Sequence, residues 1–304
     1  MGFSEKQRTI KRETVFFGRA LQSGRESRVV VRPASVDTGI VFARADIDSK
    51  PASRLGEAGL SRKLGRRSAI RAGRYTIQTI EHFLAALSAL GIDNVFVDVY
   101  GEELPALDGS AVKYFRSLKD AGICDLEKPK RVIKIEETIT LSGKNGAELT
   151  IEPADEFSVS YLIDYPCRSI GREELSFTIN EDVFEKEIAP ARTFCLKKEV
   201  EILLKAGLGG GATKENTLIM DEEGPIGTAL RFPNEPLRHK ILDLIGDFYL
   251  LGIPIIGKVK AKKSGHSLNG TMIETIRERY MGAVPKTGLI EKIKKFFVKS
   301  NEGR

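Results

Sequence analysis

A chain of 304 residues with 41% hydrophobic and 30% charged side chains has room for two domains around a developed core, and its composition excludes a disordered protein. Its net charge is a modest +6, and no aromatic-interleaved basic platform or reader motif accompanies it, so no nucleic-acid partner is expected. No apolar run reaches the roughly 18–20 residues of a membrane helix, and the opening "MGFSEKQRTIKRETVFF" lacks the apolar stretch of a secretory signal. Cys124, Cys167 and Cys195 are odd in number and widely spaced, which fits neither a disulfide framework nor a thiolate zinc site. The expectation is a cytoplasmic protein acting as a monomer.

Strand-like stretches come first: "RTIKRETVFFG", "SRVVVRPA" and "TGIVFARADI". A basic insert at about 50–74 follows, with seven basic residues against one acid over 54–74. "TIQTIEHFLAALSALGI" has the period of a buried helix, with Thr79 suited to cap its start and Gly91 its end. A strand, "NVFVDVYG", and a second helix, "SAVKYFRSLKDAGI", complete the first half. "EKPKRVIKI" reads as a linker into new strands, "RVIKIEETITLSG", "AELTIEPA" and "FSVSYLIDYP". An insert at about 195–224 holds a short helix near 197–206 and the Gly-rich "GLGGGATKENT". "PLRHKILDLIGDFYLLG" is the next long helix, with Pro236 suited to a first helical position. After it come a strand, "IIGKVKAKKSGH", and a helix from about Asn269. The two halves share one order of elements, so the expected fold is α+β: a duplicated sheet-plus-helices unit, divided as 1–127 and 128–304, with a site between the copies. The C-terminal "LIEKIKKFFVKSNEGR" suits either a solvated terminal helix or a basic amphipathic helix resting on an anionic membrane surface.

The chain has three histidines, His82, His239 and His266. His239, Asp243 and Asp247 lie four apart, so they stack on one face of an otherwise apolar helix. One helical turn brings His239 and Asp243 within reach of a single metal ion, and His82 is the natural third ligand. Its neighbour Glu81 would stand ready to take a proton from water, and Asp247 could orient an imidazole such as His266.

These motifs, with "QRTIKRETVFFGRALQSG", "PASVDTGIVFARADI", "LPALDGSA" and "ARTF" in order over most of residues 7 to 270, resemble the UDP-3-O-acyl-N-acetylglucosamine deacetylases, the zinc amidases of lipid A biosynthesis. The resemblance implies Zn²⁺ held by His82, His239 and Asp243, with Glu81 as general base. It implies that His266, steadied by Asp247, acts on the oxyanion or leaving amine, and that Thr193 donates to the oxyanion. Lys240 would contact the diphosphate of an acylated UDP-sugar, Lys263 would bind substrate near the same end, and Phe194 would belong to the same binding site. The family fold, two similar α+β layers around the site, agrees with the internal repeat.

The chain departs from the family at Gln22, where "GLHSG" would put histidine, and at Lys214, where an apolar residue is usual. "IDYPCRSIGREEL" is also short against the family. These departures leave a paralogue acting on another nucleotide sugar as an alternative, and the Gly-rich loop 207–216, which lacks the Gly-Lys-Ser/Thr of a P-loop, raises that of a small-molecule kinase.

Overall fold

The computed structural model describes residues 5–57 and 66–282. The basic C-terminal segment and part of the basic insert fall outside them. Six α-helices lie among the described residues: α1 (Glu81–Leu90), α2 (Val112–Asp120), a single turn α3 (Glu181–Val183), α4 (Val200–Lys205), α5 (Glu235–Phe248) and α6 (His266–Tyr280).

The same unit is built twice. In the first half, strands Thr14–Arg19, Glu26–Pro33, Ile40–Arg44 and Ala52–Arg54 precede α1. The strand after α1, Val95–Tyr100, enters the middle of the sheet, antiparallel to Glu26–Pro33 and parallel to Ile40–Arg44. In the second half, Ile139–Ser142, Glu148–Glu152, Phe157–Asp164 and Arg172–Thr178 precede α5. Its following strand, Ile255–Lys262, again enters the middle, antiparallel to Glu148–Glu152 and parallel to Phe157–Asp164. The registers correspond: Val97 faces Val31 and Phe42 in one sheet, and Val259 faces Ile151 and Val159 in the other. All six are buried. The α+β duplication expected from the order of elements is therefore the architecture.

Each sheet buries its apolar face against helices, giving sheet, helices, helices, sheet. Phe83 of α1 meets Phe16 and Phe42 of the first sheet, with ring centroids 6.2 and 6.0 Å apart. Helix α5 rests on strands Phe157–Asp164 and Arg172–Thr178, and α6 on Ile139–Ser142 and Glu148–Glu152. Between these layers α1 packs along α5, so one continuous core joins the halves. Of α1, Ala89 alone is not buried, which explains why its sequence is apolar nearly all round.

One glycine sets how closely the two helices cross. A Cβ built on Gly246, in mid α5, would stand 2.0 Å from the carbonyl oxygen of Glu81 at the start of α1. No other residue permits that approach, and the residue whose backbone it touches is the one expected to carry the general base.

Four local expectations change. Thr79 does not cap α1: its backbone is left-handed at φ 54, Ile80 precedes the helix, and the Thr79 hydroxyl donates instead to Glu103 Oε1 at 2.8 Å. Helix α6 begins at His266 rather than near Asn269, because the extended Gly265 ends the preceding segment. "RTIKRETVFFG" is two strands, Lys6–Ile10 and Thr14–Arg19, in different sheets. The expected linker begins as strand, since Ile123–Pro129 pairs antiparallel with Lys6–Ile10. Gly91 does end α1, in the left-handed conformation at φ 62. No helix among the described residues is long and apolar enough to cross a membrane.

Candidate metal centre and active site

Helices α1 and α5 bring ionisable groups from both halves into their shared seam. His82 Nε2 lies 3.6 Å and His239 Nε2 3.4 Å from Asp243 Oδ1, and the three ligand atoms fall within 4.8 Å of one another. The rings of His82 and His239 stand edge to face, 4.8 Å between centroids. All three residues are buried. His239 Nδ1 is 3.0 Å from the carbonyl of Ala191. A carbonyl only accepts, so Nδ1 carries the proton and Nε2 keeps its lone pair for a metal. Burial first, then the neighbouring His82 and Lys240, lower the His239 pKa to about 4 against the pull of Asp243, keeping the ring neutral as a ligand must be. Burial alone would raise the Asp243 pKa, but Lys240 first, aided by His82 and His266, outweighs it and holds the carboxyl well below its ordinary range. Two imidazoles and one carboxylate form a donor set that fits a first-row divalent ion such as zinc.

A second group adjoins the first. Glu81, Asp243 and His266 also place one ligand atom each within 4.8 Å of the others. Glu81 is 3% exposed, and burial raises its pKa against the pull of His266 and His82. His266, the first residue of α6, sets Nδ1 2.9 Å from Asp247 Oδ2 and Nε2 3.9 Å from Asp243 Oδ2. Burial would lower the His266 pKa, yet Asp247, aided by Asp243 and Glu81, raises it to about 9. The seam thus sets side by side a buried carboxyl and an imidazole that favours its protonated form, a pairing suited to acid–base chemistry.

The remaining expected residues fall at different distances from this centre. Lys240 Nζ donates to Asp243 Oδ2 at 2.7 Å. Phe194 lies edge-on to His239, 6.4 Å between centroids, and against Tyr165 at 5.7 Å. Thr193 starts the strand Thr193–Leu196, between Phe194 and the segment whose Ala191 meets His239, and its N–H donates to Gly109 at 2.9 Å. Lys263 is paired at 3.4 Å with Asp164, both partly exposed, at the end of the strand that leads to His266.

Several supporting residues escaped the sequence reading. Glu235, fully buried at the start of α5, accepts from Arg192 Nε at 2.8 Å, from Arg192 N–H at 2.9 Å and from Arg231 N–H. This pair fixes the "ARTF" segment against α5. The acid four residues before His239 was a helical-face signal that could have been read. Asp247 is held by Asn269 Nδ2 at 2.7 Å, and Asn269 Oδ1 accepts from Ser264 at 2.6 Å. Ser68 also reaches this network, through a contact no local spacing announces.

The Gly-rich loop plays a different part from a phosphate cradle. The N–H groups of Gly209, Gly210 and Gly211 donate to the Gln22 side chain, the Gln22 carbonyl and the Leu21 carbonyl. Those of Ala212 and Thr213 donate to Gly209 and to the Asn216 side chain. The amides that would wrap a nucleotide phosphate are already taken, which removes the support for a kinase. The glycines serve close approach: a Cβ on Gly211 would meet the Ala20 carbonyl oxygen at 2.1 Å. Gln22 is the clasp for this loop, and the Lys214 stem lies over Gly227.

Comparison with known proteins agrees with the geometry. The model of the UDP-3-O-acyl N-acetylglycosamine deacetylase family matches residues 7–278. A UDP-3-O-acyl-N-acetylglucosamine deacetylase of Chlamydia abortus is 39% identical over 270 residues, covering 86% of this chain and 94% of that protein. Namesakes from Anaeromyxobacter dehalogenans and Phenylobacterium zucineum are 36% and 37% identical over 278 residues, covering 90% of this chain and 88% and 94% of their own. With the match spanning both halves and the seam between them, the chain belongs to the UDP-3-O-acyl N-acetylglycosamine deacetylase family.

Proposed function

We propose that the chain is a zinc-dependent amidohydrolase that removes the N-acetyl group of a UDP-linked 3-O-acyl-N-acetylglucosamine, releasing acetate, as a step of lipid A biosynthesis. The observation that carries this reading is the buried His82, His239 and Asp243 set with Glu81 and the His266–Asp247 pair beside it. Zinc held by the three ligands would supply Lewis acidity, able to polarise the amide carbonyl and to acidify water toward neutrality.

The protein's own groups then move the protons. Glu81, whose burial raises its proton affinity, accepts a proton from the attacking water. His266, kept protonated by Asp247, gives its proton to the departing amine nitrogen as the C–N bond breaks. Thr193 donates through its hydroxyl to the oxygen that gains negative charge as the carbonyl carbon becomes tetrahedral. Lys240 supplies a cationic contact for the diphosphate, with Lys263 near the same end, and Phe194, edge-on to His239, contacts the substrate. The enzyme works as a cytoplasmic monomer, divided near residues 127 and 128. Its basic C-terminal segment meets the anionic membrane surface where a lipid-bearing product partitions.

Acetate release from acylated and non-acylated UDP-N-acetylglucosamine tests the reading. Turnover confined to the acylated sugar is expected. Equal or better turnover of the non-acylated sugar would mark a paralogue, and turnover of neither would overturn the assignment.

A further inference from the structure

Ser68 has no role in the mechanism above, yet its polar atoms all engage residues at or leading into the site. Its N–H donates to Glu81 Oε2 at 3.1 Å, and its carbonyl accepts from the N–H of Thr79, two residues before Glu81, at 2.9 Å. Its hydroxyl donates to Asp247 Oδ1, and the same oxygen lies 3.4 Å from His266 Nδ1. The residue is 7% exposed and stands just before the hairpin Ala69–Ala72 and Tyr75–Gln78, so the basic insert returns to the body through the active site.

The other partners of Asp247 explain why this matters. Asp247 is 1% exposed, and its remaining donors, His266 Nδ1 and Asn269 Nδ2, both come from α6. A carboxylate gripped only by α6 would follow that helix. Ser68 adds the one grip from the first half of the molecule among these donors, and the same residue holds the general base through its backbone. A hydroxyl has a single proton to give. Because His266 Nδ1 directs its own proton to Asp247, the Ser68 proton is free for the carboxylate.

We infer that Ser68 is a positioning residue that ties Glu81 and the Asp247–His266 pair into one frame across the seam between the halves. The inference rests on the deacetylase reading for its kinetic consequence, not for its geometry. Ser68→Ala removes the hydroxyl and keeps the N–H to Glu81, whereas Ser68→Thr keeps both. Removing a hydrogen-bond partner one step behind a working group costs about 10- to 100-fold, so Ser68→Ala lowers kcat by that factor with KM little changed and zinc content intact. Ser68→Thr retains most of the activity. In a His266→Ala background Ser68→Ala causes no further loss, because the two act as a unit.

A second readout needs no turnover. With three histidines in the chain, the His266 Nδ1 proton resonance can be assigned by substitution. It is sharp in the parent and in Ser68→Thr, and broadens through faster exchange in Ser68→Ala. Equal losses from Ser68→Ala in both backgrounds, equal impairment by Ala and Thr, or an unchanged Nδ1 resonance in Ser68→Ala would each overturn the inference. A parent enzyme without deacetylase activity would overturn the functional reading instead, and the resonance would still decide the role of Ser68.

Discussion

Gly246→Ala inverts the usual expectation for a glycine inside a helix. In an unpacked helix the exchange gains about 1 kcal/mol, because alanine has less backbone freedom to lose. Here the new Cβ would lie 2.0 Å from the Glu81 carbonyl oxygen and 2.7 Å from its carbon. Carbon and carbonyl oxygen rest at about 3.3–3.6 Å, so the crossing of α1 and α5 must open by somewhat more than 1 Å. Overfilling a dense core costs about 1–3 kcal/mol. After the propensity gain, the net loss is about 1 kcal/mol, or about 2–4 °C in Tm for a chain of this general size. The effect on turnover is larger. The displaced backbone belongs to Glu81 and His82, whereas His239 and Asp243 stay with α5, and a misplacement of about 1 Å can cost about 100-fold. Thermal unfolding, zinc content and acetate release measured on one preparation check both numbers. A Gly246→Ala protein with a higher Tm and full turnover would refute this account of the seam.

The metal assignment predicts one zinc per chain by elemental analysis, and His82→Ala or Asp243→Ala should each lose it; full occupancy in both variants would disprove the ligand set. Glu81→Gln and His266→Ala should keep zinc yet lose about 10²–10⁴-fold in turnover, the usual scale for general acid–base groups. In chelator-treated protein, burial holds His239 at about 4, below its ordinary 6.5. The unfolded chain therefore binds the extra proton first, and stability falls as pH drops from 6.5 toward 4. His266 is raised from 6.5 to about 9, so its contribution is complete below 6.5 and is lost as pH rises through 9. Urea midpoints across this range should peak near 6.5, and His266→Ala should remove the alkaline decline; a midpoint still rising at pH 9 would contradict the assignment.

How much of this the sequence displayed depended on distance along the chain. The stripe of His239, Asp243 and Asp247 was visible because helical spacing is local. So was the duplication, because a helix ending in Leu-Gly-Ile before a strand occurs in both halves. Thr79 misled because its residue type suits a cap, whereas its actual duty is to Glu103, 24 positions away. Ser68 and Asp247 are 179 positions apart, and neither has a local pattern that names the other. Gly246 carries no local sign of its role, because its reason lies in the backbone of a second helix. The Gly-rich loop looked like a phosphate cradle for the same cause: its amide partners, at Leu21 and Gln22, are far away in sequence.

The duplication also explains why metal and fold are coupled. Helices α1 and α5 are equivalent elements, and packing them together buries Glu81, His82, His239, Asp243 and Asp247 in one seam. Taking that many ionisable groups out of water is unfavourable unless each finds a partner. Lys240, Ser68, Asn269 and the Ala191 carbonyl provide some of these partners within the protein. An ion bound by one ligand from α1 and two from α5 would complete the set and fasten the halves together. Any ion that binds the folded chain and not the unfolded one adds stability that grows as the logarithm of one plus the ratio of its free concentration to its Kd. Linkage makes the relation mutual: a change that opens the seam must weaken the metal, and removing the metal must loosen the seam. Gly246→Ala should therefore lower zinc affinity although it touches none of the three ligands. Unchanged affinity in that variant would mean that the ligand geometry is held by α5 and its surroundings alone, not by the crossing of the two helices.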